Sequence, residues 1–216
     1  MKIKYWSDIA CPFCYIGSTR MKRAIKELGI ADETPLEFKA FQLDPTLPTT
    51  TTKTMTDNFA GGHGMTVDQA QAQMAQIEQM GAGDGLTIDL AHAIPTNTMD
   101  AHRLIKLAQA SGDAVVTEQV ITALYHVYFS EGASIADHTV LRRAVVDAGL
   151  PAAAVDDVLA SDKYAQDVRR DEAEAQQLGI QGAPFFVLND KYGISGAQPY
   201  DTMVSALRQV LAEEVD

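Results

Sequence analysis

Lys2-Ile-Lys-Tyr-Trp6 leads through Ser7-Asp-Ile-Ala10 into Cys11-Pro-Phe-Cys14, and this stretch sets the fold class. Its first five residues read as a short strand. Pro12 suits the first position of a helix, where a missing N–H costs nothing, which makes Cys11 the N-cap. A sulfur there meets the free N–H groups of the first turn at the positive end of the helix dipole. A thiolate is stabilised in that place, and the thiolate is the attacking species in thiol chemistry. Cys14, one turn further on, is placed to resolve a mixed disulfide, because two Cα atoms within about 7 Å can be bridged. These are the only two cysteines of the chain. The alternatives are half of a zinc site or two inert core thiols. A structural zinc wants four N/S ligands, and only five scattered histidines could complete one. The pair reads as redox chemistry, with no metal.

The helix begun at Pro12 runs to about Leu28, with Cys14, Gly17, Met21, Ala24, Ile25 and Leu28 on one face and Gly29 at its end. Leu36-Glu-Phe-Lys-Ala-Phe41 alternates as a second strand. A strand, a helix and a strand in that order make a right-handed parallel unit. Residues 44–58 are rich in Thr and Pro and read as a loop, and Gly61-Gly-His-Gly64 reads as its mobile continuation. Helical spacing then returns at 66–80, with Val67, Ala70, Met74 and Ile77 on one side. Further helices are predicted over 97–110, 114–129, 137–148, 151–160 and 164–178. After Gly179, Phe185-Phe-Val-Leu188 is a short apolar strand, Tyr192 to Gly196 its antiparallel partner, and Pro199 opens a last helix. The ends spell βαβ…ββα around a helical block.

At 216 residues the chain suits one large domain, or a domain carrying a sizeable insertion. A net charge of −12 argues against nucleic acid and anionic membranes as partners, since both want basic patches. The one basic cluster, Arg20, Lys22, Arg23 and Lys26, reads as a solvated face that complements the helix dipole. No stretch reaches the 18 or so apolar residues of a membrane span. The first strand begins at residue 2 or 3, which leaves no room for an apolar leader. The expected location is therefore the cytoplasm, where a Cys-x-x-Cys is usually catalytic rather than structural.

The chain resembles the DsbA-like thioredoxin-fold oxidoreductases, and within them the cytoplasmic FrnE-like dithiol–disulfide oxidoreductases or isomerases. The matching residues are Ser7-Asp-Ile-Ala-Cys11-Pro-Phe-Cys14-Tyr15, Phe41-Gln-Leu-Asp-Pro45, Thr96-Asn97-Thr98 with Ala101-His102-Arg103, and Tyr128-Phe129 with Glu131-Gly132. Gly182-Ala183-Pro184-Phe185-Phe186 and Ile194-Ser-Gly196-Ala197-Gln198 complete the set. The resemblance implies an α/β thioredoxin-like core of residues 1–43 and 176–216, with a large all-helical insertion at 44–175 between the second and third strands, and chain economy sets that insertion over the end of the sheet near the cysteines. It also implies that Ala183–Pro184 is a cis peptide facing the cysteine pair, turning the Ala183 backbone toward an incoming extended peptide or glutathione. Pro at the head of a strand is unusual, and cis bonds are nearly confined to proline.

Two departures matter. Relatives often have a buried acid six residues before the first cysteine, and Tyr5 stands there. The dipeptide is Pro-Phe, without the histidine of strongly oxidising relatives, so the expected potential is nearer the glutaredoxin range, about −200 to −230 mV.

The sequence thus reads as a thiol–disulfide oxidoreductase acting on protein or low-molecular-weight disulfides. Cys11 attacks, Cys14 resolves, and Pro184 with Ala183 aligns the substrate beside Pro12 and Phe13. No cofactor is bound, with glutathione as a candidate co-substrate. Asn97 is most simply a helix N-cap, and by resemblance a substrate contact. Asp8 is weighed as a proton acceptor for the thiol against a turn residue, with the turn favoured. His102 shares a helix with Asn97. Met55, Met65, Met74 and Met80 suit an adaptable lid, a homodimer seam or, more simply, packing of the insertion. Two rivals stand: a glutathione-dependent kappa-class transferase or 2-hydroxychromene-2-carboxylate isomerase, which usually carries Ser where Cys11 stands, and a redox-sensing module without turnover.

Overall fold

The backbone of Ile3–Ser7 (β1) runs parallel to Leu36–Ala40 (β2) on one side and antiparallel to Phe185–Leu188 (β3) on the other. Tyr192–Ser195 (β4) pairs antiparallel with β3, giving the order β2-β1-β3-β4. The structure is a computed structural model and describes residues 1–213. Pro12–Glu27 (α1) joins β1 to β2. Six helices then precede the long final approach to β3: Met55–His63 (α2), Val67–Gly83 (α3), Met99–Ala110 (α4), Ala114–Phe129 (α5), His138–Asp147 (α6) and Ala152–Leu159 (α7). Ala165–Gln177 (α8) leads into β3, and Tyr200–Glu213 (α9) ends the described chain.

Contacts divide the chain into two compact units, one of residues 1–43 and 171 onward, the other of residues 44–170. The return to the first unit falls at Asp171, inside α8. In the first unit, strand alternation sends Tyr5, Phe38 and Phe186 to one face, and the register sets Tyr5 opposite both partners. Tyr5 meets Phe38 edge-on at 5.4 Å and stacks on Phe186 at 5.8 Å, so one aromatic row crosses three strands. Each of these rings is fully buried, and burial of such a side chain contributes about 2 kcal/mol. The opposite face presents Trp6 and Val187, which cluster with Ala175 of α8 and Ile180. The Trp6 indole N–H donates to the Asp171 carbonyl at 2.8 Å.

β2 is an edge strand, and α8 covers its exposed backbone. The Ala40 N–H donates to the Asp171 carboxylate at 2.8 Å and the Gln42 N–H to Glu172 at 3.2 Å. An edge closed in this way cannot template pairing with another chain. Lys4 and Lys39 rise from the same face into a shared set of carboxylates. Lys4 Nζ lies 3.0 Å from Glu174 and 2.8 Å from Asp190, and Lys39 Nζ lies 3.0 Å from Glu37 and 3.2 Å from Glu174. Burial alone would push Glu174 up, but the two ammonium groups outweigh it and hold its carboxyl below the usual range.

α1 packs on α9, and Arg20 and Arg23 of α1 reach the segment that leads into α9 and its first residue, while Arg23 and Lys26 stay exposed as a solvated face requires. Arg20 donates to the carbonyls of Ala197 and Gln198 at 3.0 and 3.1 Å, and the Arg23 guanidinium lies 3.7 Å from the Tyr200 ring centroid. The sequence missed these roles because charge at the far end of a helix looks the same whether it meets solvent or a neighbour's carbonyls.

The second unit is helical throughout its regular structure among the described residues. Leu104, Val120, Leu124, Tyr128 and Leu141 are buried in it, and Arg103 of α4 is buried with them. The Arg103 guanidinium donates to Lys163 O at 2.8 Å and to Asp100 at 2.7 Å, and it also reaches the carbonyls of Val158 and Ser161. One difference from the sequence reading stands out. Met55–His63 is a helix, not loop: Thr54 Oγ1 accepts the Asp57 N–H at 3.0 Å, and Gly64 ends the helix in the left-handed region at φ 64°. The Thr-x-x-Asp start was legible; the adjacent glycines masked it.

Glu174→Gln should lower stability at pH 7 by about 1 kcal/mol. A carboxylate held low stabilises the fold above its unfolded value near 4.3 and loses that contribution as pH falls through the lower folded value. Urea unfolding of both proteins should therefore show a gap at pH 7 that narrows at an acidic pH below the unfolded value. An equal gap at both pH values would contradict the ion-pair account.

Candidate active site

Ser7 closes β1, and the turn Asp8–Cys11 delivers the chain to α1. The Cys11 N–H donates to the Asp8 carbonyl at 3.2 Å, the Asp8 N–H to Cys14 Sγ at 3.4 Å, and the Leu43 N–H to Asp8 Oδ2 at 2.8 Å. Asp8 is buried and fastens the turn through each of its groups, the role the sequence favours for it.

Cys11 is the N-cap, with extended backbone at φ −98° and ψ 112° and Pro12 following. Its Sγ accepts the Cys14 N–H at 3.3 Å. The same sulfur, as a thiol, lies 3.7 Å from the Ala183 carbonyl oxygen. Negative charge at this sulfur meets a backbone donor and the helix N-terminus together. The sequence expects Cys11 to be open and Cys14 shielded. Cys14 is fully buried, but Cys11 is only 3% exposed, because its sulfur turns back over the first turn of α1 and toward Ala183. Phe13, at 37%, is the residue of the motif that faces solvent. Pro12 is half-buried between them. Burial raises the Cys14 thiol well above its ordinary value, and the neighbouring Cys11 raises it further; the Asp8 N–H and the Ser7 hydroxyl pull the other way.

Ala183–Pro184 is cis, and Pro184 stands at the head of β3. The antiparallel register pairs Trp6 with Phe185, so the residues before β3 lie beside the end of β1 and the cysteine turn. The proline ring rests on Gly17 of α1: a Cβ there would sit 3.1 Å from Pro184 Cγ and 3.4 Å from Ala197 Cα. The Pro184 carbonyl accepts the Gly196 N–H at 2.8 Å. Arg20 then holds the next two carbonyls, so α1 fixes both sides of the proline. Among the described residues the Ala183 N–H has no partner, which leaves one backbone donor open beside Cys11.

The first unit therefore brings Cys11, Pro12, Phe13, Cys14, Ala183 and Pro184 together. Asn97 belongs to the second unit. It is not itself the N-cap of α4, a position Thr98 takes without a side-chain bond. Asn97 Oδ1 nonetheless accepts the Met99 N–H at 2.9 Å, and its Nδ2 donates to the carbonyls of Pro45 and Leu47 at 3.0 and 3.2 Å. Its amide thus ties the 45–48 segment to the start of α4. His102 is fully buried in the same unit. Sequence reasoning missed Ser7, Gly17 and Arg20 as parts of the site. Ser7 had a signal in strand alternation, which puts it on the Tyr5 face, and Gly17 had one in its spacing of three from Cys14. Among the described residues no cluster of three or more His, Cys, Asp or Glu is placed to hold a metal ion.

The DSBA-like thioredoxin domain matches residues 2–208 of the chain. The crystal structure of a probable DsbA oxidoreductase from Streptomyces coelicolor is 37% identical with a TM-score of 0.92, covering 99% of this chain and 91% of that one. Cytosolic disulfide reductase DsbM from Pseudomonas aeruginosa, solved with GSH, shares the fold at 20% identity and a TM-score of 0.63, over 98% of this chain and 100% of that one. The 2-hydroxychromene-2-carboxylate isomerase of Sphingobium xenophagum is 21% identical over 88% of this chain and 89% of its own length.

Gly17→Val should cost about 1–3 kcal/mol through overpacking against a ring and a backbone that cannot swing aside. Gly17→Ala should be near neutral, since its gain of about 1 kcal/mol in helix propensity offsets a mild clash. Urea unfolding reads both, and a Val variant as stable as the wild type would contradict the close approach. Iodoacetamide should label Cys11 before Cys14 in the reduced protein. Preferential labelling of Cys14 would reverse the assignment.

Proposed function

Because the chain belongs to the DSBA-like thioredoxin domain family, we propose that it is a dithiol–disulfide oxidoreductase whose nucleophile is Cys11 and whose resolving thiol is Cys14. The observation that carries this reading is the Cys11 sulfur at the N-cap of α1, accepting the Cys14 N–H and facing the Ala183 backbone. Reduction proceeds in two exchanges. The Cys11 thiolate attacks one sulfur of a substrate disulfide, forming a Cys11 mixed disulfide and releasing the first thiolate, which takes a proton. Cys14 then attacks the Cys11 sulfur, its proton passing to the second departing thiolate, and the enzyme is left with a Cys11–Cys14 disulfide. Two molecules of glutathione, or one dithiol, return the pair to the reduced form and leave as a disulfide. Reversal of the same steps oxidises a substrate dithiol.

The open Ala183 N–H would bond the backbone of an extended substrate, and exposed Phe13 would lie along it. The likeness to a cytosolic disulfide reductase solved with GSH supports a cytoplasmic enzyme that takes glutathione as co-substrate, in keeping with the FrnE-like branch. Among the described residues no helix is long and apolar enough to cross a membrane. The likeness to a 2-hydroxychromene-2-carboxylate isomerase favours a second reading, in which the first cysteine position supports a bound glutathione thiolate.

The two readings predict opposite results for one pair of variants. For an oxidoreductase, Cys11→Ser should reduce glutathione- or dithiothreitol-driven disulfide reduction to the uncatalysed background, since a hydroxyl is a far poorer nucleophile at neutral pH. Cys14→Ser should keep the first exchange and accumulate mixed disulfides on Cys11, seen by mass spectrometry. Isomerisation of 2-hydroxychromene-2-carboxylate that is kept or improved in Cys11→Ser, with Cys14→Ser indifferent and no disulfide reduction by the wild type, would overturn the oxidoreductase in favour of the isomerase.

A further inference from the structure

Cys14 poses a problem that the two-step scheme leaves open. It must become a nucleophile, yet it is fully buried and its thiol is pushed well up by that burial and by Cys11. The position that carries a buried acid in many relatives holds Tyr5 here. The Asp8 carboxylate, on the adjoining turn, is engaged with the Leu43 N–H. Cys11, beside it, raises the Cys14 thiol further rather than drawing its proton away. Two neutral donors face that sulfur instead. One is the Asp8 N–H at 3.4 Å. The other is the hydroxyl of Ser7, the last residue of β1, which is fully buried and hydrogen-bonded to Cys14.

We propose that Ser7 is a positioning residue for the second exchange: with the Asp8 N–H, its hydroxyl holds the Cys14 sulfur on the Cys11 side of the turn and stabilises the thiolate as it forms. The inference rests on the thiol–disulfide reading above. Ser7 acts through Cys14 and touches no substrate. Its hydroxyl donates to the sulfur as the S–H proton leaves for the departing substrate thiolate, so no net proton is stored on Ser7. A hydrogen bond to a charged group carries about 1.5–3 kcal/mol, which corresponds to roughly 10-fold to 100-fold in the rate of a step that depends on it. The first exchange uses Cys11 and its own donor, the Cys14 N–H, so it is indifferent to Ser7.

Rapid mixing of reduced protein with glutathione disulfide, acid quench and mass spectrometry separate the two exchanges as formation and decay of the Cys11–glutathione adduct. In Ser7→Ala the adduct should form at the wild-type rate and decay about 10-fold to 100-fold more slowly. The pH midpoint of its decay should move up. Ser7→Thr, which keeps the hydroxyl, and Ser7→Val, which replaces it at equal size, control for packing: Thr should decay at the wild-type rate and Val should match Ala. Unchanged decay in Ala and Val, or formation and decay slowed together with an unmoved midpoint, would overturn the proposal. No adduct in the wild-type protein would remove the oxidoreductase reading itself, a result distinct from an adduct whose lifetime ignores Ser7.

Discussion

Asp8 joins the end of β1 to the start of α1 through its N–H, its carbonyl and its carboxylate, and the site depends on that junction. The carbonyl sets the position of the Cys11 backbone, the N–H touches the Cys14 sulfur, and the carboxylate ties in Leu43 just beyond β2. A helix N-terminus has N–H groups without intrahelical partners. In this chain one of them is met by a sulfur that can carry charge, and Pro12 follows in the place where no N–H is needed. The chemistry and the local fold are therefore the same feature.

The rest of the first unit keeps the junction from shifting. The Tyr5, Phe38 and Phe186 row locks the register of three strands, and a slip of one residue would turn Ser7 and the cysteine turn to the wrong face. That register also carries Pro184 to its place beside the turn, where Gly17 lets the ring approach α1 and Arg20 holds the segment between β4 and α9. On the other face, α8 covers the edge of β2 and neutralises Lys4 and Lys39 with shared carboxylates. Tyr5 belongs to this packing scheme. Its ring is fully buried, and the polar groups that act on the Cys14 sulfur include the Ser7 hydroxyl and the Asp8 N–H.

Most of the fold was legible because its signals are local. Cys11-Pro-Phe-Cys14 marked the N-cap, alternation marked the strands, and glycines marked helix ends. β3 and the pairing of first and third strands follow from the same pattern. The reading failed where the deciding partner is distant in sequence. The contacts of Arg20 and Arg23 were illegible because residues 197–200 lie far along the chain. Cys11 reads as open, but it is buried, with its sulfur against a carbonyl 172 residues away. α2 failed for a local reason, since Gly61 and Gly62 lower helix propensity while Thr54 and Gly64 still define its ends. Asn97 was placed one residue off its cap because its side chain reaches forward two residues, a geometry that sequence spacing does not distinguish from a cap.

The proposed chemistry requires the two sulfurs to form a single redox unit. Equilibration of the wild-type protein in buffers of graded glutathione to glutathione disulfide ratio, followed by acid quench and mass spectrometry, tests it most directly. The account predicts one two-electron transition between the dithiol and an internal Cys11–Cys14 disulfide, with singly glutathionylated protein only a minor species. Two independent thiols that each take up glutathione, or a pair that stays reduced at every ratio, would contradict it.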